Sequence, residues 1–498
     1  MSIYKNSGIP QKTASWKRDV MTLCKLLVAF PMWLCVFLPL TIIGLISKKF
    51  FTAKKESVGK VEKIYTEEDV KVTKINRDDR KYDVIIYGCT GYTGFLCAKY
   101  LAEKYGDQKT MRWAIGGRSL ERLEKKKAEL AKEFPDTFTG CDIVIADSKN
   151  WEQLVNMCNN TKVVCTTVGP FTKYGSELVN ACALMGTDYT DITGEMPWNK
   201  ECHKNYKDMA LKSGARLVSF CGHDCVPWDL VVYKCNQKLA GDHDEKMKKV
   251  SCFDDIRGTV SGGTIDTMFT LADERTVGVK GTKEKVARVP RNEQAYYMRP
   301  GATTGNGFTV KNKITGALKL EFDSSAKVWK QHFFMAAMNN AVVDRSNCLE
   351  SYNDGLEYHE GKVAYSLMQG LSFINFLLYF AAPVMNNLVR KVFYALGFIA
   401  KPSEGASEEE LAKGYLNLFA EGTGEKGTKV NCVLTFPVDP GYKDTARMLI
   451  ECGACFALNN ERCQKTGGFW TPASAFGDVC LERLCNTGST FKFYNPRE

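Results

Sequence analysis

The sequence shows no long internal repeat and no low-complexity tract, which excludes solenoids, propeller arrays and disordered spacers as its main architecture. Net charge is scarce where the chain would fold. Residues 1–82 hold 16 Lys/Arg against 8 Asp/Glu, so they carry +8 of the total +10. A nearly neutral remainder argues against a nucleic-acid enzyme, and a basic tail suits an anionic membrane surface. Zinc-type cysteine pairs are also missing. Cys452-Gly453-Ala454-Cys455 is a lone CxxC in a helical pattern, with no second pair at zinc spacing. It reads as core packing, and no metal site is expected. No small-residue cleavage site follows the first hydrophobic stretch, which speaks against a signal peptide.

What is present points to a globular protein of more than one domain. The 498 residues exceed one compact core. Apolar residues make up 44% and charged residues 25%, which is ordinary for folded chains. The 20 cysteines lie scattered in apolar runs such as 163–166 and 448–452, as free buried thiols do in a reducing compartment.

The most informative stretch is 82–102. The apolar run 84–87 reads as a buried parallel strand. Gly88, Gly91 and Gly94 follow at three-residue spacing, and 95–102 is compatible with a helix. In that context the glycines form a dinucleotide turn. Gly88 allows the tight turn, Gly91 lets the backbone approach a pyrophosphate, and Gly94 lets the helix pack on the strand. Thr90, Tyr92 and Thr93 complete the loop and helix start, whose free N–H groups favour phosphate. Further strands are expected at 112–115, 142–146, 162–167, 188–191 and 216–220, with helices at 120–134, 151–158 and 175–185 between them. The fold class is therefore α/β, a Rossmann-type doubly wound parallel sheet over 82–225, followed by a second α+β domain over 226–470. A C-terminal helix, 472–484, opens the segment 471–498, which packs back on the core.

Two uncharged segments complicate this plan. Residues 26–46, between a basic tail (1–25) and a charged linker (47–81), are long enough to span a bilayer. Pro31 and Pro39 interrupt them, and lysines flank both ends. A single span and a shallow hairpin with both ends in the cytosol both satisfy the pattern. The second segment, 363–389 within a hydrophobic insertion 363–400, carries Ser366, Gln369, Ser372 and Asn375 as one polar stripe. It reads as a membrane-contacting insertion or, alternatively, as a core or dimer helix.

The end of the second strand chooses the cofactor. NAD-binding folds place a carboxylate there; this chain places Gly117, Arg118 and Ser119. A guanidinium and a hydroxyl suit a 2′-phosphate, which favours NADP and leaves NAD open. Asp147 at the next strand end could meet adenine or cap a helix. Gly169 and Pro170 end the fourth strand, where the nicotinamide would pass.

Together these residues resemble the saccharopine dehydrogenase-like oxidoreductase family, which includes the trans-acting enoyl reductases of lipid biosynthesis. The resemblance runs over 82–498. It rests on Gly88 to Gly94, on 116–118, 168–171 with Tyr174 and Gly175, 186–195, 221–229, 261–264 and 467–473. It implies a Rossmann domain, a second domain and oxidoreductase chemistry. Animal-type members carry a hydrophobic insertion linked to lipid droplets and membranes. The resemblance supplies no catalytic set, so the candidate proton donors Tyr174, His223 and Asp224 come from position alone. Asp191 and Glu195 could act or cap turns. The expectation is a membrane- or lipid-droplet-attached, NADP-dependent oxidoreductase facing the cytosol and acting on a hydrophobic substrate. The alternatives are a membrane-tethered Rossmann scaffold without turnover and, less well supported, a true saccharopine dehydrogenase. A homodimer is compatible with the second segment.

Overall fold

The computed structural model describes residues 3–10, 63–259, 290–316, 319–324, 326–371, 387–395 and 405–495, with isolated positions between these stretches. Strand and helix alternate from residue 82. The strands are β1 (Tyr82–Tyr87), β2 (Trp113–Gly117), β3 (Asp142–Ile145), β4 (Thr161–Thr166), β5 (Asp188–Asp191) and β6 (Arg216–Val218). All are parallel, in the order β6-β5-β4-β1-β2-β3. The order reverses between β1 and β4, the point at which such sheets bind ligands. All six residues of β1 are buried, because helices cover both faces.

On one side lie α1 (Tyr92–Tyr105) and α2 (Leu120–Ala131). On the other are α3 (Trp151–Asn159), α4 (Ser176–Met185) and α5 (Met196–Ser213). The helix expected to reach residue 134 stops at Ala131. Phe134 leaves the helical region (φ −130°, ψ 65°) ahead of Pro135, which opens a short helix of its own, Pro135–Gly140.

After α6 (Val226–His243) comes the second sheet, formed by β7 (Met247–Arg257), β8 (Val310–Ile314), β9 (Leu320–Asp323), β10 (Val328–Gln331), β11 (Leu356–Ala364), β12 (Tyr415–Gly424) and β13 (Lys429–Phe436). Helix α7 (Ala336–Glu350) precedes β11, and α8 (Lys443–Leu458) follows β13. The sheet is mixed, with β7 parallel to β11 and antiparallel to β12. Its inner face packs on α6. Ile3 and Tyr4 lie on its outer face against Phe253, Phe419 and Val433.

The C-terminal chain then serves both sheets. α8 packs on α1, β4 and β5 of the first sheet. β14 (Gly468–Trp470) extends that sheet alongside β6, and β15 (Thr490–Tyr494) extends the second alongside β13. The first domain thus includes chain from beyond the expected 82–225 block. The reason is burial: α8 is apolar on nearly every face, from Ala446 to Phe456, and only the uncovered side of the parallel sheet satisfies it. The expected single helix over 472–484 is two, α9 (Pro472–Phe476) and α10 (Asp478–Asn486). They break at Gly477 (φ 49°), where a Cβ would sit 2.9 Å from the Tyr233 hydroxyl.

Most of the first uncharged segment, 26–46, lies outside the described residues. The second begins within β11, so its opening residues Val363 and Ala364 are buried strand. Among the described residues no helix is long and apolar enough to cross a membrane. The CxxC pair is buried in α8, with Cys452 Sγ 3.8 Å from Cys480 Sγ and no disulfide. Among the described residues no His/Cys/Asp/Glu group could hold a metal ion.

Buried charge locks α8 in place. Glu451 is fully buried and accepts hydrogen bonds from Tyr100 Oη (2.5 Å) and Tyr105 Oη (2.8 Å) of α1 and from Arg483 Nε (2.8 Å) of α10. Removing one member of such a cluster leaves the others buried and unpaired. Glu451→Ala is therefore expected to cost about 3–5 kcal/mol, read as a lowered urea midpoint. Glu451→Gln keeps an acceptor for the tyrosines and should cost less.

Candidate functional site

The loop leaving β1 is shaped by glycines whose missing side chains are required. Gly88 has φ 107°, and a Cβ on it would lie 2.7 Å from Thr167 Oγ1. A Cβ on Gly94 would lie 2.2 Å from the Gly88 carbonyl oxygen, so only glycine lets α1 approach β1 this closely. Gly91 differs: it has an ordinary φ of −88°, and a Cβ there would meet nothing nearer than the Gly88 oxygen at 3.4 Å. Its bareness serves the space outside. Gly91 caps α1 without any side-chain acceptor, so the first-turn N–H groups stay available.

That space is a cleft of about 220 Å³ at the switch point. Tyr87, Gly88, Thr90 and Gly91 line it from β1, and Gly117, Arg118 and Arg122 from β2 and α2. Ser148 lies beyond β3, and Thr167, Val168, Gly169 and Tyr174 follow β4. Of the residues expected at a cofactor, the structure brings Gly88, Thr90, Gly91, Arg118 and Gly169 together here, with the candidate donor Tyr174. Others have different work. The Tyr92 hydroxyl donates to Ala406 O at 2.6 Å. Thr93 is not among the lining residues, and Gly94 acts through packing. Ser119 caps α2, accepting from Arg122 N at 3.4 Å. Asp147 accepts from Lys149 N at 2.9 Å, a turn contact; the cap of α3 is Asn150, whose Oδ1 accepts from Gln153 N at 3.1 Å. Pro170 opens the short helix Phe171–Tyr174.

Arg122 escaped the sequence reading because 120–131 looks like a solvated Lys/Glu-rich helix. The available signal was its place in the first turn of the helix that follows β2, near Arg118. Neither forms an ion pair among the described residues. An extended phosphorylated ribose needs a bare backbone turn, unclaimed N–H groups and cations at the end of β2, and these residues fit a nicotinamide dinucleotide on all three counts.

The short helix that carries Tyr174 is capped by Glu195, whose carboxylate accepts from Phe171 N and Thr172 N, each at 2.8 Å. Asp191 likewise organises the sheet edge. It accepts from Thr193 N (3.0 Å), Ser219 Oγ (2.9 Å) and Phe220 N (3.2 Å), and burial pushes its carboxyl up to about 6. Both acidic residues therefore cap turns.

The loop after β6 carries His223 and Asp224 away from the cleft lining, towards the second sheet. His223 N donates to Thr445 Oγ1 at 3.0 Å, and its ring packs edge-on against Trp228. Its Nδ1 and Asp224 Oδ1 are out of solvent with no hydrogen-bond partner. Burial pushes the imidazole down to about 3 and the Asp224 carboxyl up to about 7. At neutral pH the histidine is uncharged and the aspartate is poised to hold a proton. The 261–264 turn falls largely outside the described residues.

Comparison with known proteins gives consistent relatives. A Mycobacterium tuberculosis protein named as a candidate trans-acting enoyl reductase is 31% identical over 431 residues, covering 82% of this chain and 96% of its own length. The trans-acting enoyl reductase of Mycobacterium leprae is 29% identical over 441 residues, covering 82% and 97%. Among solved structures, apo saccharopine dehydrogenase (L-Glu forming) of Saccharomyces cerevisiae aligns at TM-score 0.45 and 11% identity over 83% of this chain and 100% of its own. Homospermidine synthase of Legionella pneumophila, solved with NAD, aligns at 0.42 and 11%, over 83% and 92%. No family profile matches the chain.

The glycines separate fold from binding. Gly94→Ala forces a backbone clash and is expected to destabilise the domain by about 1–3 kcal/mol or more. Gly91→Val should leave the thermal midpoint of the free protein nearly unchanged while abolishing the upward shift expected for the wild type with a nicotinamide dinucleotide. Differential scanning fluorimetry with and without cofactor reads both.

Proposed function

Because the chain belongs to the saccharopine dehydrogenase-like oxidoreductase family, alongside the trans-acting enoyl reductases it matches, we propose that it is an NADP-dependent reductase of a conjugated double bond in a hydrophobic, lipid-derived substrate. That it is an NAD(P)-dependent oxidoreductase follows from its relatives. The phosphate-bearing cofactor is our reading, and one observation carries it: Arg118 and Arg122 both line the cleft at the end of β2, and among the described residues lining it there is no carboxylate. A carboxylate there would repel a 2′-phosphate; two guanidiniums attract it.

The bound nicotinamide supplies hydride. The protein's own residues do the rest. The Gly88–Gly91 backbone and the start of α1 hold the pyrophosphate. Gly169, bare and exposed, admits the ring end of the cofactor, and the half-buried Tyr174 closes that side of the cleft. The reading of a membrane or lipid-droplet surface draws on the uncharged segments and on Leu367 and Leu371, which are 50% and 40% exposed. In the turn that carries them, Gln369 Oε1 accepts from Tyr365 N and Ser366 Oγ from Gln369 N, so the polar side is occupied locally and the apolar side is left outward.

Two outcomes are expected. Arg118→Glu combined with Arg122→Glu should weaken NADPH binding roughly tenfold to a hundredfold and leave NADH binding nearly unchanged in isothermal titration. Equal loss for both cofactors would remove the case for NADP. The full chain should float with anionic liposomes, and Leu367→Glu with Leu371→Glu should reduce flotation without altering NADPH affinity.

A further inference from the structure

The inner face of the second sheet carries charge that the cofactor cleft does not use. Tyr358, Glu360 and Lys362 share one face of β11, because side chains alternate along a strand. On the neighbouring β7, Asp254 sits opposite Lys362 and one diagonal step from Glu360. Asp254 and Glu360 are 0% and 2% exposed. Trp228 Nε1 donates to Asp254 Oδ1 at 2.9 Å, and Asn339 Nδ2 donates to Glu360 Oε1 at 2.9 Å. The Tyr358 hydroxyl donates to the other Glu360 oxygen. No cation bonds either carboxyl among the described residues, and the Lys362 ammonium lies over the Phe373 ring, 5.3 Å from its centre.

The two carboxyls lie side by side, a diagonal step apart on neighbouring strands, and Asp254 Oδ2 has no hydrogen-bond partner. Two buried carboxylates cannot both stay ionised in contact; one proton between them satisfies both. Burial raises both: the Glu360 charge pushes Asp254 further up, while Glu360, with Asp224 adding to its rise and its bonds to Tyr358, Asn339 and Asp254 holding it down, goes to about 7.

Unpartnered polar atoms surround the pair. They are Asn339 Oδ1, Gln331 Oε1 on the same face of β10, and His223 Nδ1 and Asp224 Oδ1 on the facing loop. Asn339 and Gln331 are 0% and 2% exposed. Buried polar atoms are normally paired, so several orphans around one carboxyl pair point to a guest that supplies its own polar atoms. The loop carrying His223 and Asp224 starts at the C-terminal edge of the first sheet, where Cys221 N donates to Asp191 O at 2.7 Å. It therefore links the cofactor side to the second sheet.

We infer that this junction holds the polar head of the substrate, and that Asp254 and Glu360 store the proton that reduction adds to it. The inference rests on the reductase reading above. Saturating a conjugated C=C joins one hydride, carrying two electrons, to one carbon and one proton to the other. The proton leaves the O–H bond of the carboxyl pair and forms the second C–H bond. The pair then carries two negative charges until water returns a proton.

The test compares full-length wild type with Glu360→Gln and Asp254→Asn. In each variant an amide N–H replaces the shared proton, which preserves the contact, and either variant suffices if the other fails to fold. Infrared spectroscopy near neutral pH needs no substrate, and the protonated-carboxyl absorption of wild type should contain a band that is lost in the difference spectrum of each variant, leaving only that of other buried carboxyls such as Asp224. With NADPH and a 2-butenoyl thioester as probe, kcat should fall roughly a hundredfold with KM little changed, the alkaline limb of the pH profile should disappear, and Glu360→Asp should recover part of the rate. Absence of the band in wild type overturns the shared proton. Variants that keep the band loss but turn over like wild type overturn its role. A wild type that shows the band and binds NADPH but does not reduce the probe overturns the reductase reading, and the inference with it.

Discussion

The approach of α1 to β1 sets everything at the cofactor end of this molecule. The Gly94 backbone sits so near the Gly88 carbonyl that no side chain fits between them. That separation fixes where the first turn of α1 points, how wide the cleft is, and how Thr167 and Val168 of the adjacent strand end close around Gly88. The local cost of glycine in a helix, about 1 kcal/mol, is small beside the geometry it permits. The same contact explains why the three glycines are not equivalent: two are demanded by the protein's own packing, and Gly91 by whatever lies in the cleft.

A second level of order comes from buried charge. Asp188 accepts from Arg216 Nε at 2.9 Å and Arg77 Nη2 at 2.6 Å, and this joins the segment before β1 to β5 and β6. Glu451 does the same between α1, α8 and α10. These clusters are saturated with donors, so they act as fixed rivets. The group around Asp254 and Glu360 is different in kind. It is just as deeply buried but has unpaired atoms, and that incompleteness separates a site from a rivet.

Much of the first sheet was legible in the sequence. Strands buried on both faces read as continuous apolar runs, and the turn at 88–94 is dictated by sterics that only glycine relieves. What was not legible depends on distant partners. Gly468–Trp470 is too short for any periodicity and is a strand only because β6 offers an open edge. Nothing local in α8 says which sheet it will cover. Arg122 was hidden by a helix whose composition suits solvent. His223 and Asp224 could be nominated from their loop, but the carboxyls facing them come from strands far along the chain. Their register, not their spacing in sequence, brings Asp254 to Glu360. The uncharged segment 363–389 misled at its start, because Val363 and Ala364 belong to a buried strand.

The return of the C-terminal chain to both sheets also bears on how the protein is made. β14 closes an edge of the first sheet and β15 an edge of the second, while α8 covers a face of the first. A ribosome delivers these elements after every other strand of the two sheets. Domains usually fold as units in order of synthesis, yet here neither can finish early. Until residues 443–494 emerge, the nascent chain leaves β6 and β13 without these neighbours and one apolar face of the first sheet bare. It depends at that stage on whatever shields such surfaces in the cell.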